Sequence, residues 1–259
     1  MYCRMKIYLN YLLFLGFVFF ADGQSTVVEY HNYKRNEDQH YQSFLIIEDG
    51  ESYCLDIFHK TFSSYDELMA DEDFVENLKY LSSIKKDSLG SDVYYGIASI
   101  PGEGRVLYKD IIPKIEWKIS PSDDQILGYP CSQAIGEFRG RIYKVWFTTQ
   151  IPLSEGPWKI GNFPGLVMKV VVDNGLFTFE AVNIVIKSDN ILIPQKYIEA
   201  YHDATVKNVS YQAYIKMENK VFGQIRNEQI SNLPKGVVLS NVPPIRTTFI
   251  EKSFEWDNE

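Results

Sequence analysis

The chain has 259 residues, a formal net charge of −8, 45% hydrophobic and 15% aromatic residues, with 18 Tyr and 16 Phe. That apolar content excludes wholesale disorder and is enough for one large or two small packed domains. The acidic balance and the lack of any basic block exclude nucleic acid as a partner, and no cofactor is expected.

Arg4 and Lys6 precede an apolar run, Ile7 to Phe20, which Ala21-Asp22-Gly23 follows. This is the order of a secretory signal peptide over residues 1–23, cut before Gln24. The run is shorter than the roughly 20 residues a membrane-spanning helix needs. After the cut no transmembrane segment is expected, and losing Arg4, Lys6 and Asp22 takes the net charge to −9. The expected location is across the inner membrane, periplasmic or associated with the outer membrane. Cys54 and Cys131 then remain, and an oxidising compartment makes them a candidate disulfide. Their alternative is two separate buried thiols.

Residues 26–34 alternate as a first strand, and 41–58 form a hairpin about Asp49-Gly50. The period then changes. Leu68, Val75, Leu78 and Leu81 fall near one helical face, Ser64 and Glu67 fit a capping box, and Lys85-Lys86 suit a helix end. A helical insertion near 64–86 is expected. Strand signals return over 92–100, 105–111 and 114–120, interrupted by Pro113, and twice more within 126–152. In Arg141–Thr149, Tyr143, Val145 and Phe147 share one face with Ile142, Lys144 and Trp146 on the other. Both faces read as largely apolar, which expects a central strand or one flanking a cavity. Asn174-Gly175 is a favoured hairpin turn between 165–173 and 176–186. Tyr214, Met217, Val221 and Ile225 then share a helical face, which expects a helix near 209–224. Residues 231–259 carry three prolines and no sustained period, as a wrapping or loose tail would.

The fold class expected is therefore mainly β (α+β): a twisted antiparallel sheet or half-barrel with one or two peripheral helices, as a single domain over 24–230.

One stretch stands out, Gly156-Pro157-Trp158-Lys159-Ile160-Gly161-Asn162-Phe163-Pro164-Gly165-Leu166-Val167. A phosphate loop would lead into a helix and present clustered N–H groups; this one leads into a strand, and Pro164 removes a donor. A structural crossover fits better, with Asn162 tolerant of positive φ, Phe163 held extended by Pro164, and Gly165 allowing close backbone approach. Taken with "LYKD" (107–110), "GYPCSQA" (128–134), "FRGRIYKVWFTTQIP" (138–152) and "FTFEAVNI" (177–184), the stretch resembles the GLPGLI family of secreted Bacteroidetes proteins over roughly residues 105–186. Asn162, Phe163 and Val145 depart from that family's usual Gly, Leu and Ala. The resemblance implies secretion and no established activity.

No catalytic residue and no metal site are assigned. None of the four His falls at ligand spacing, although His31, His40 and His59 lie on adjacent predicted strands. No G-x-S-x-G is present, and nothing in the sequence positions a base beside Cys131. The candidate binding residues are Trp146, Trp158 and Phe163, with Arg139 and Arg141 as a fork for a carboxylate or phosphate. The alternative for the arginines is an internal ion pair, or stacking on Tyr143 or Trp146. The reading is a non-catalytic envelope-associated protein that binds an apolar small ligand, an extended peptide or an envelope protein partner. A hydrolase with a site assembled from distant residues is the alternative.

Overall fold

A computed structural model describes residues 25–48, 51–58, 60–72, 81–86, 92–187, 206–234 and 244–258. The expected signal peptide, the Asp49-Gly50 turn and His59 lie outside these residues.

The protein is mainly β, built on one long sheet. The strands are β1 (Ser25–Lys34), β2 (Gln39–Glu48), β3 (Glu51–Ile57), β4 (Leu81–Lys86), β5 (Asp92–Ile100), β6 (Gly104–Ile111), β7 (Lys118–Ser120), β8 (Gln125–Ile126), β9 (Tyr129–Pro130), β10 (Ser132–Phe138), β11 (Arg141–Thr148), β12 (Leu166–Val172), β13 (Phe177–Lys187) and β14 (Lys207–Ser210). The short pair β8 and β9 stands apart from the long sheet. The order across that sheet is β14-β6-β5-β4-β3-β2-β1-β13-β12-β11-β10-β7. All its pairs are antiparallel except β14 with β6. The chain thus runs outward from β1 on one side, through β6, then crosses over residues 112–117 to build the other side.

Among the described residues two α-helices accompany the sheet, α1 (Tyr65–Ala70) and α2 (Tyr211–Ser231). Half of the expected capping box forms: Ser64 accepts from the Glu67 N–H at 3.1 Å, while the Glu67 carboxylate takes the Ser63 N–H at 2.6 Å, one residue before the cap. α1 ends at Ala70, Val75 and Leu78 of the expected insertion lie outside the described residues, and Leu81–Lys86 is strand β4, paired with both β3 and β5. Cross-strand partners on either side, which local spacing does not report, set its conformation. Ser210 caps α2 by accepting from Ala213 N–H, and the helix runs seven residues past the expected Gln224. Among the described residues no helix is long and apolar enough to cross a membrane.

Alternation sorts the side chains into two layers. Val28, Tyr30, Leu45, Tyr143, Val145, Phe147 and Val170 join the main core on one face. Val27, Phe44, Ile46, Leu55 and Ile57 face the other way, beneath Phe62, Tyr65 and Leu68. On β11 only one face is buried: Ile142 is 60% exposed and Lys144 is exposed, so the strand is not buried on both sides. A register shift at Trp146/Phe147 turns both Phe147 and Thr148 inward.

Cys54 and Cys131 are both buried and both free. Cys54 lies on β3, while Cys131 immediately precedes β10, and five strands separate β3 from β10 in the sheet. A bridge needs Cα atoms within about 7 Å, so of the two readings the separate buried thiols hold and the candidate disulfide does not form. The Cys54 thiol donates to Asp56 Oδ1 at 3.9 Å, and burial raises its pKa. Burial also pushes Asp56 up to about 7, with the Cys54 bond working the other way. A carboxylate whose folded pKa is raised costs the fold stability as pH climbs from its unfolded value through the folded one. Wild type is therefore expected to lose roughly 2 kcal/mol of unfolding free energy between pH 5 and pH 8 that Asp56→Asn does not lose. Urea titrations of both proteins at the two pH values measure this; parallel pH profiles would remove Asp56 as the cause.

Candidate functional site

The two ends of the sheet meet through charge. Asp110 sits on β6 in phase with the buried Val106, so its carboxylate points inward and is 2% exposed. Arg139 opens the two-residue turn between β10 and β11, which Phe138 and Arg141 close as a pair. Arg139 has φ +44 and Gly140 φ +75, the left-handed pair a tight hairpin needs. An Arg there costs about 1–2 kcal/mol, and tertiary bonds hold it. Its carbonyl accepts from Lys252 N–H at 2.9 Å and Ser253 N–H at 3.2 Å.

Its side chain is 1% exposed. Nη1 and Nη2 donate to Asp110 at 2.6 and 2.8 Å, and Nη1 also donates to Glu251 at 2.5 Å. Nε reaches Glu255 at 3.0 Å. Lys159, also 1% exposed, donates to the same Asp110 and Glu251 oxygens at 2.7 and 2.9 Å. Two cations and two carboxylates thus neutralise one another inside the protein. Burial works against the Arg139 charge, but Asp110 and then Glu251 outweigh it and raise its pKa. Aromatic rings line the cluster: the guanidinium lies 5.0 Å from both the Phe138 and Tyr211 ring centres, and Lys159 Nζ is 3.9 Å from that of Tyr211. Tyr211 donates to Glu251, and burial, then Glu251, raises its pKa.

Lys159 is delivered by the Gly/Pro stretch. Trp158 (φ +55) and Asn162 (φ +64) turn the chain, as Asn162 was expected to. Asn162 N–H donates to Ser154 O at 2.7 Å, and Val167 N–H to Glu155 O at 3.0 Å. A Cβ at Gly165 would overlap the Thr148 carbonyl, and one at Gly156 the Ile160 carbonyl, so both positions need glycine for close packing.

The expected binding residues separate. Phe163 is 2% exposed, stacked on Phe147 at 4.8 Å and against Trp117 at 5.0 Å. Trp158 is half-buried and stacks on Tyr143. Trp146 lies on the opposite face of the sheet, its Nε1 donating to Asp124 at 2.6 Å, with Lys144 and Lys169 each 5.9 Å from its ring. Arg139 and Arg141 hold internal partners, as the ion-pair alternative has it. Arg141 donates to Asp173 at 2.8 Å and grips the Thr247 and Phe249 carbonyls. Arg139 stacks on Phe138 and Tyr211 rather than on Tyr143 or Trp146.

A groove of about 570 Å³ runs beside this seam. One wall is the β6–β7 crossover, Ile112 to Trp117; the other is Lys159, Gly161 and Asn162, with Asp92 at the start of β5. Asn162 donates to Asp92 across it. His31 and His40 line a second, smaller hollow of about 370 Å³ on β1 and β2, and among the described residues no group of three ligating side chains could hold a metal. Sequence reasoning missed Asp110, Lys159 and Glu251. Asp110 alone carried a signal, a charge at an inward strand position.

The family model for the N-glycanase peptide, N-terminal domain, matches residues 83–213, which include β5 to β13 and every cluster member except Glu251 and Glu255. No curated protein matches the sequence. The fold is similar to PNGF-II in its C2 crystal form (TM-score 0.52, 18% identity, covering 75% of this chain and 32% of that one). It is likewise similar to PNGF-II in the P21 form (TM-score 0.50, 18%, 75% and 33%). An uncharacterized conserved protein from Thermus thermophilus overlays only loosely, at TM-score 0.39 and 9% identity, over 73% of this chain and 91% of that one. The chain spans about a third of the length of the PNGF-II chain. With half of its sequence matched, this chain belongs to the N-glycanase peptide N-terminal domain family.

Proposed function

We propose that the chain is a non-catalytic recognition domain of a secreted, envelope-associated protein, and that its ligand occupies the groove between Ile112–Trp117 and Lys159–Asn162. The groove itself carries this reading: it is concave, mixed in polarity, and anchored on both walls. Trp117 packs against Phe163 and over Gly136, while Lys159 is locked into the ion cluster. Preformed hollows of this size with a few fixed polar groups are where ligands bind. Each charged group of the cluster meets an opposite charge inside the protein, which suits fastening more than chemistry. The family's place as an N-terminal domain, and a length about a third of PNGF-II, support a role in recognition beside another unit. The apolar run Ile7–Phe20 and the resemblance to the GLPGLI proteins support secretion.

The test is hydrogen exchange on the full chain with and without an envelope extract. Slower exchange confined to residues 112–117 and 159–162, and lost in Lys114→Trp, is the expected result. Lys114 is 85% exposed, so the added ring narrows the groove without disturbing packing. Protection elsewhere that Lys114→Trp leaves intact would overturn the assignment.

A further inference from the structure

The main chain of the groove wall indicates what fits it. Ile112 N–H donates to the Asp92 carbonyl at 3.0 Å, and pairing with β10 begins only at Lys118. Between them, residues 113–117 make no backbone-to-backbone hydrogen bond with another described residue. Their side chains nevertheless alternate as a strand's do: Ile115 and Trp117 are half-buried, while Lys114, Glu116 and Lys118 are exposed. This is a strip of strand-like chain along the edge of a groove, and its main-chain groups, the N–H that Pro113 lacks aside, pair with no other described backbone group.

From this we infer that the occupant is an extended peptide segment of another protein, which adds a strand to the wall at 113–117. The inference rests on the groove being the binding site. Open strand-like main chain is best matched by another extended main chain, whose N–H and C=O groups recur at the same spacing. A wholly apolar molecule would cover these main-chain groups and offer them no hydrogen bond. The rim adds little net charge, because Lys114 and Glu116 pair with each other at 3.2 Å. Recognition therefore falls to the main chain, with an apolar peptide side chain at every second position set against Ile115 and Trp117.

The experiment probes an immobilised library of random hexapeptides with the full chain, then remakes the best binder with N-methyl groups at alternate amides. Strand addition predicts that one methylation phase weakens binding about tenfold, while the other changes it less than about twofold. Bound peptide should also slow exchange at the amides of 114–117. If both phases bind as well as the parent, main-chain pairing is wrong. If no peptide binds, but an anilinonaphthalene sulfonate dye does and Lys114→Trp expels it, the groove stands and the peptide inference falls. If neither probe responds to Lys114→Trp, both fall.

Discussion

Replacing Arg139 with Met is expected to cost about 4 kcal/mol of unfolding free energy, because it leaves Asp110 and Glu251 buried with Lys159 as their only shared cation. Loss of the guanidinium removes three of its bonds at 2.5–2.8 Å and the Nε bond to Glu255. Arg139→Lys should recover less than half of the loss, since an ammonium cannot make the bidentate contact with Asp110. The reading specific to a charge cluster comes from compensation. Removing one negative partner as well, in Arg139→Met with Glu251→Gln, is expected to cost clearly less than the sum of the two single changes. Urea unfolding of the four proteins measures this. Strict additivity would show that the cluster does not act as a unit.

Phe163→Ala is expected to cost about 4 kcal/mol and to act on stability before it acts on binding. The ring is 2% exposed and bridges Phe147 on β11 to Trp117 on the crossover, so its loss leaves a cavity beneath the groove wall. Phe163→Leu, which keeps most of the volume, should cost less than about 1.5 kcal/mol. Thermal and urea unfolding separate the two variants. A fully stable Phe163→Ala protein would mean that the ring is not core. Trp146→Ala is the contrast: the ring is only partly buried, with its Nε1 on Asp124 and the Lys144 and Lys169 ammoniums beside it.

The strands were legible wherever one face meets the core, because alternation is a local property. β5 falls on residues 92–100, as its pattern foretold. The span Leu81–Lys86 was not legible, since Leu78 and Leu81 fit a helical period and only pairing with β3 and β5 makes β4 a strand. In the expected strand 114–120, only Lys118–Ser120 pairs, because the crossover leaves the sheet after Ile111. The Gly/Pro stretch was readable as a crossover for the same local reason: φ at Asn162 and close approach at Gly165 belong to single residues. The ion cluster is the opposite case. Arg139 and Asp110 lie 29 residues apart, and Arg139 and Glu251 lie 112 apart. Nothing near Lys159 or Glu251 in sequence marks them as inward. The aromatic residues chosen as a binding rim failed to gather because a β-rich sequence places large rings on both faces.

The sheet is joined end to end by ions rather than by a ladder, and this bears on the order in which the molecule assembles. Every strand of the ladder except β14 lies at or before Lys187 along the chain, whereas the bolt of the seam, Glu251, is made much later. A chain synthesised from its N-terminus can pair most of its strands while Asp110, Arg139 and Lys159 still share one carboxylate among two cations. Contacts across such long sequence separations close slowly. A sheet paired before Glu251 is added would carry one uncancelled positive charge at this seam. Glu251 cancels that charge by bridging Arg139 and Lys159, so the segment around it acts as the clasp of the fold.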